Sequence, residues 1–233
     1  LDTLTLQATP YIPRDFNVIL FAKPAAAFSD ADKLKIDQYV MNGGKVLWFI
    51  DESNASMDSL QQHPEFFAFD RGLNLEDLLF RYGVRINQDL LMDLQSDVIP
   101  LVVGNVGNRP QIQPVPFPYF PMLMPTKANP IVKNLDMVLS RFVSSIDTIK
   151  NDAVRKTILL TTSSNSRTTR LPAQIGWDVV KTQPNPRDYR QHHLPAAVLL
   201  EGHFTSLFHN RQDPTAVSAL QQASGRPFKD ATD

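Results

Sequence analysis

Residues 16–51 read FNVILFAKPAAAFSDADKLKIDQYVMNGGKVLWFID, and the fold class turns on them. Two apolar runs, VILFA at 18–22 and KVLWFI at 45–50, flank a polar segment with helical spacing. Ser29 suits an N-cap, and Asp30 and Asp32 suit the electropositive first turn of a helix. Leu34, Ile36, Tyr39, Val40 and Met41 form its apolar stripe, and Gly43 with Gly44 closes it. Neither apolar run alternates with polar residues, which is the habit of strands buried on both faces of a parallel sheet. Strand, capped helix, double glycine and strand together predict a right-handed βαβ unit.

Outward from this unit the signals are shorter. LNLEDLLFRYGVRIN (73–87) predicts a helix capped by Asn74 and ended by Gly83, with strands near 84–86 and 89–94. The stretch DVIPLVVGNVGNRPQIQPVPFPYFPMLMP (97–125) holds seven of the chain's 18 prolines. Proline lacks an N–H, so this segment reads as edge strands and a hairpin with a glycine-rich turn. Further strands are expected within 137–149, 155–168 and 194–208, and a helix capped by Asp213 over 213–224. LTLQA at 4–8 reads as a strand entered midway, so the chain looks like a piece of a longer protein. The expected architecture is α/β: a mostly parallel central sheet flanked by helices, with a proline-rich β-hairpin insertion. Residues 1–96 form its core, 97–129 the arm, and 130–233 the rest, with room for a small second lobe from about 130 to 195.

Composition narrows the function. The 233 residues carry a net charge of −1 with both signs interspersed, which gives no basic stripe for nucleic acid. There is no cysteine, hence no disulfide framework, thiolate nucleophile or Cys-type zinc site. No apolar run approaches the ~20 residues that span a bilayer. Four of the five histidines fall within 192–209, and Glu201 shares a strand face with His203. Their spacing fits no standard zinc pattern, so no metal or cofactor is expected. No nucleophile elbow, dinucleotide fingerprint or phosphate loop occurs.

What remains is polar clusters at strand ends. Ligands of open α/β sheets bind beyond the carboxyl ends of strands. Asp51, Glu52, Ser53 and Asn54 stand at one such end, and Thr162, Ser163, Ser164 and Asn165 at another. Either they line one crevice, or they are turns built from good turn formers. The aromatics Phe117, Tyr119 and Phe120, with Met122, are the candidate partner interface; equally, they could pack on their own sheet.

Several stretches together, YIPRDFNVILFAKP, FSDADKLKIDQYVMNGGKVLWFIDE, LNLEDLLFRYGVRIN, ILLTTSSNSRT and AAVLLEGHFTSLF, resemble the auxiliary, substrate-binding-like component of the gliding-motility ABC transporter of Bacteroidetes, the Gld G-component family. The resemblance runs from Leu4 to Arg211. It implies a membrane-anchored parent whose soluble part lies on the periplasmic side of the cytoplasmic membrane, beside a separate permease and ATPase. It implies a flavodoxin-like or class I amidotransferase-like fold, and it brings a conjectured saccharide ligand. Amidotransferase chemistry needs a cysteine thiolate, which this chain lacks. The expectation is therefore a non-enzymatic auxiliary domain that binds a partner subunit or a polar ligand. The alternatives are a hydrolase using Asp51 or Glu52 with His203, and a pure scaffold.

Overall fold

The capping signal at Ser29 is a pair of real hydrogen bonds. In the computed structural model, which describes residues 2–107, 109–127, 129–211 and 213–232, the Ser29 hydroxyl accepts from the Asp32 N–H at 3.1 Å and the Asp32 carboxylate accepts from the Ser29 N–H. This capping box starts α1 (Asp30–Met41), which connects β1 (Val18–Ala22) to β2 (Lys45–Phe49). The strands pair in parallel, Val18 opposite Lys45 through to Ala22 opposite Phe49. Gly44 permits the tight return: a Cβ there would stand 2.3 Å from the Tyr39 ring. That ring is held in place, since its hydroxyl donates to the Phe16 carbonyl at 2.9 Å.

The mostly parallel central sheet does not form. After β2 come α2 (Met57–Gln62), β3 (Glu65–Ala68), α3 (Glu76–Tyr82), β4 (Val84–Ile86), β5 (Asp89–Asp93), β6 (Ser96–Val106) and β7 (Arg109–Pro125). Then follow β8 (Val138–Leu139), β9 (Ile146–Thr148), β10 (Val154–Thr161), β11 (Ser166–Arg170), β12 (Ala173–Gly176), α4 (Asp178–Lys181), β13 (Pro195–Gly202) and α5 (Pro214–Ser224). Among the described residues every named strand pairing beyond β1–β2 is antiparallel: β3–β12, β4–β9, β5–β11, β6–β7, β7–β8, β7–β10 and β10–β13. Strand accounts for 37% of the chain and helix for 19%, and the largest sheet curls into a half-barrel. Helix length is one local difference between β1–α1–β2 and the rest. A parallel pair needs a crossover of about a dozen residues or more, usually a helix. α1 supplies one, whereas α2 has six residues, α3 seven and α4 four. Beyond the tight β6–β7 hairpin, the antiparallel pairs β3–β12, β4–β9, β5–β11 and β10–β13 join strands distant in the chain.

The proline-rich segment is the β6–β7 hairpin, paired from Ser96–Pro121 out to Val106–Arg109; its tip residue Asn108 lies outside the described residues. Pro114, Pro116 and Pro118 fall at alternate positions, so the missing N–H groups all belong to one edge of β7. The distal half of β7 is exposed and the proximal half buried. Phe117, Tyr119 and Phe120 are buried and pack with Phe142, Phe117 and Phe120 meeting edge to face at 4.9 Å. Met122 is half-buried. These aromatics anchor the arm to the body of the protein and do not form an exposed patch.

Two apolar clusters make the core. One joins α1, α3 and β4 to the inner face of β1–β2; the other gathers β5, β12 and the foot of the hairpin. Two local expectations change as well. Asn74 does not cap α3; it donates to the Phe28 carbonyl at 2.8 Å and accepts from Lys33, tying α3 to α1. LTLQA is irregular chain and a turn, with no ladder partner.

Candidate functional site

The chain leaving β2 is stitched to the loop between β3 and α3. Asp51 pairs with Lys23 at 3.0 Å, across the parallel pair. The Glu52 carbonyl accepts from the Arg71 N–H at 2.8 Å. Ser53 bridges Asp70, and its carbonyl accepts from the Arg71 guanidinium at 3.3 Å. Asn54 binds Phe69 twice, its N–H donating to the Phe69 carbonyl at 3.0 Å and its side-chain oxygen accepting from the Phe69 N–H at 2.8 Å. Ser53 and Asn54 are thus turn formers whose hydrogen bonds are taken up inside the protein.

Glu52 is different. Its residue is 5% exposed, its carboxylate oxygens keep some contact with solvent, and among the described residues they receive no hydrogen bond and no ion pair. It faces two more acids, with carboxylate oxygens of Glu52, Asp70 and Glu76 all within 4.8 Å of one another. Burial first, and then the charges of Asp70 and Glu76, push the Glu52 carboxyl up to about 7. Asp70 is oriented by the Gly72 N–H at 2.8 Å and by the Gln88 amide. Glu76 opens α3. A small cavity lined by Glu52, Leu73, Leu75, Glu76, Leu79 and Ile86 lies beside the three acids.

The second cluster is closed on itself. Asp93, at the end of β5 and fully buried, accepts from the Ser163 N–H and hydroxyl at 2.6 Å each and from the Gln95 N–H at 2.8 Å. Thr162 and Ser166 share a hydroxyl bond of 2.8 Å, and the Leu194 N–H donates to Thr162 at 2.9 Å. Asn165 donates its N–H to Ser163 at 3.0 Å, and the Ser164 carbonyl meets the His192 ring. The two strand-end clusters therefore belong to different neighbourhoods, one bound to the 69–71 segment and the other to β5 and the 191–194 segment. They do not join in one hydrogen-bonded crevice.

The histidine-rich segment disperses too. Glu201 pairs with Arg155 at 2.7 Å, His209 with Asp230 at 2.9 Å, and His203 is held through its N–H to Ala153. None of these belongs to the carboxylate set. Sequence reading missed Asp70 and Glu76. Asp70 sits in an aromatic segment that reads as irregular, and Glu76 reads as an ordinary first-turn helix acid. Only the stitching of residues 52–54 to 69–71 brings them to Glu52.

A family model described as "ABC-type uncharacterized transport system" matches residues 1–230. The chain belongs to this family of ABC-transport auxiliary proteins. No curated protein matches it. Among solved structures, one titled "mmIFT52 N-terminal domain" aligns at 15% identity and a TM-score of 0.39, over 70% of this chain and 58% of that one. The chain thus spans less than two thirds of that structure's length. Among the described residues no helix is long and apolar enough to cross a membrane.

Proposed function

We propose that this chain is a non-enzymatic docking domain on the extracytoplasmic side of an ABC transport system serving gliding motility, and that it binds the system's permease. The observation that carries the reading is the uncovered face of the one parallel pair. Ile19, Phe21, Val46 and Trp48 point into the core, with Phe21 stacked on Trp48 at 4.4 Å. On the opposite face Val18, Leu20, Leu47 and Phe49 are 52%, 50%, 48% and 55% exposed. Parallel strands are normally covered on both sides, and a contiguous exposed apolar patch marks an interaction surface. Lys45, exposed on the same face, gives it a polar rim.

Family membership supports a partner within a transport system. The permease is the subunit within reach outside the membrane, while an ATPase works on the cytoplasmic side. A saccharide is the weaker ligand: Ser53, Asn54 and Ser163 give their hydrogen bonds to the protein itself. A hydrolase is weaker still, since the one strongly perturbed strand-end acid faces two acids and no histidine. Leu20→Glu combined with Leu47→Glu should cut co-purification of the permease about tenfold or more, with an unchanged circular-dichroism spectrum. A folded double variant that recovers as much permease as wild type sinks the reading.

A further inference from the structure

We propose that Glu52, Asp70 and Glu76 form a binding site for a hard divalent cation of the calcium class. The site is distinct from the apolar face of β1–β2 and does not depend on permease binding. Three carboxylates within 4.8 Å are not sufficient by themselves, because exposed acids gather by chance. What singles this group out is the buried member. The other buried acids all have donors. Asp37 accepts from the Tyr82 hydroxyl at 2.9 Å, the Ser206 hydroxyl at 2.6 Å and the Leu207 N–H at 3.0 Å. Asp89 accepts from the Ser145 N–H and hydroxyl at 2.9 and 2.7 Å, and Asp93 from the three donors already described. Glu52 alone among these has no donor, although it is 5% exposed and aimed at two further carboxylates. A carboxylate in so enclosed a residue with no donor from the protein is costly to ionise, and charges in such places are usually paired or coordinate metals.

The donor set chooses the ion. Oxygen-only ligands suit calcium, magnesium or manganese, not zinc or copper. Two oxygens bound at about 2.3–2.6 Å to one calcium lie at most about 5 Å apart, whereas magnesium at about 2.1 Å allows roughly 4.2 Å. The carboxylate oxygens all lie within 4.8 Å of one another, which a calcium shell can span. Asp70 and Glu76 are exposed, so water completes a shell of about 6–8 oxygens. Asp70 is preset by Gly72 and Gln88 and keeps lone pairs free for an ion. Arg71, the nearest cation in sequence, points its Nε at the Ser53 carbonyl instead of into the cluster. Bound to Glu52, Asp70 and Glu76, the ion would clamp the end of β2 to the start of α3.

The test is a chelator-treated chain at pH 7.5, titrated with CaCl₂ and followed by calorimetry and thermal unfolding. Wild type should bind one ion, and its Tm should rise by about 3–6 °C at saturation. Glu52→Gln should lose most of that rise while its Tm in chelator equals or exceeds that of wild type, which separates lost binding from misfolding. The proposal is overturned if wild type shows neither heat nor shift at millimolar CaCl₂, if Glu52→Gln responds as wild type does, or if MgCl₂ acts and CaCl₂ does not.

Discussion

The ends of β2 and β10 both carry short polar runs closing on Ser-Asn, Asp-Glu-Ser-Asn at 51–54 and Thr-Ser-Ser-Asn at 162–165, and each lies beside a buried acid, Glu52 and Asp93, in an opposite state. Around Asp93 three donors converge on one buried carboxylate, so its charge is balanced by hydrogen bonds at about 2.6–2.8 Å. Around Glu52 the donors of the same kind of loop go to backbone partners, and the carboxylate meets only other acids. The first arrangement stores stability; the second stores electrostatic repulsion that an ion could relieve. What separates a structural knot from a candidate site is therefore whether donors converge on the buried acid.

The sharpest way to break the contrast is Asp93→Ala. It strips the acceptor from the Ser163 N–H, the Ser163 hydroxyl and the Gln95 N–H, in a place where no water has access to the carboxylate. Unsatisfied buried donors cost about 1–3 kcal/mol each at most, and such networks lose about 2–4 kcal/mol in total. Urea unfolding should show that loss; a change under about 1 kcal/mol would mean the knot is not a stabilising device.

Glu52→Gln should act in the opposite direction, and only at higher pH. Folded Glu52 keeps its proton up to about 7, against 4.5 for the ordinary group. Between those values the folded state binds more protons than the unfolded one, so stability falls as pH rises through the window. The penalty is absent below about pH 4.5 and complete above about pH 7. In chelator the Gln variant should gain roughly 1–3 kcal/mol over wild type at pH 8 and almost nothing at pH 4.5. Unfolding curves at both pH values check this; a gain of equal size at both would show that charge is not the cause.

The same contrast explains what the sequence could and could not say. The β1–α1–β2 unit was legible because its signals are local: the cap at Ser29, the stripe along α1 and the close approach at Gly44 all act within some 35 residues. Asp213 at the start of α5 and Gly83 at the end of α3 are legible for the same reason. The antiparallel body was not legible. β3 pairs with β12 and β5 with β11, across long stretches of chain, and no local periodicity encodes such partners. An unalternating run such as VILFA promised a sheet covered on both faces, yet one face of it stays bare. The site divides in the same way. Position 52 could be picked out as a strand-end acid, but its burial, its missing donors and its acidic neighbours 18 and 24 residues away depend on how the 69–71 loop returns.

Ser164→Ala is the smallest of these perturbations and tests whether position within the knot outweighs residue type. Ser163, Ser164 and Ser166 are chemically identical and stand within four residues of one another. Ser163 and Ser166 are buried, with their hydroxyls bonded to Asp93 and to Thr162 and the Gln191 carbonyl. Ser164 is exposed; its carbonyl, not its hydroxyl, meets His192, and its hydroxyl reaches only Asn165 at 3.5 Å. Replacing it removes a group that water already serves, so the change should stay within about 0.5 kcal/mol. Ser163→Ala, measured alongside by urea unfolding, should cost about 1–2 kcal/mol, because it leaves one Asp93 oxygen short of a donor in a dry site. Equal losses at the two positions would mean that Asp93 finds its donors elsewhere, and the distinction drawn between the two strand ends would fail with it.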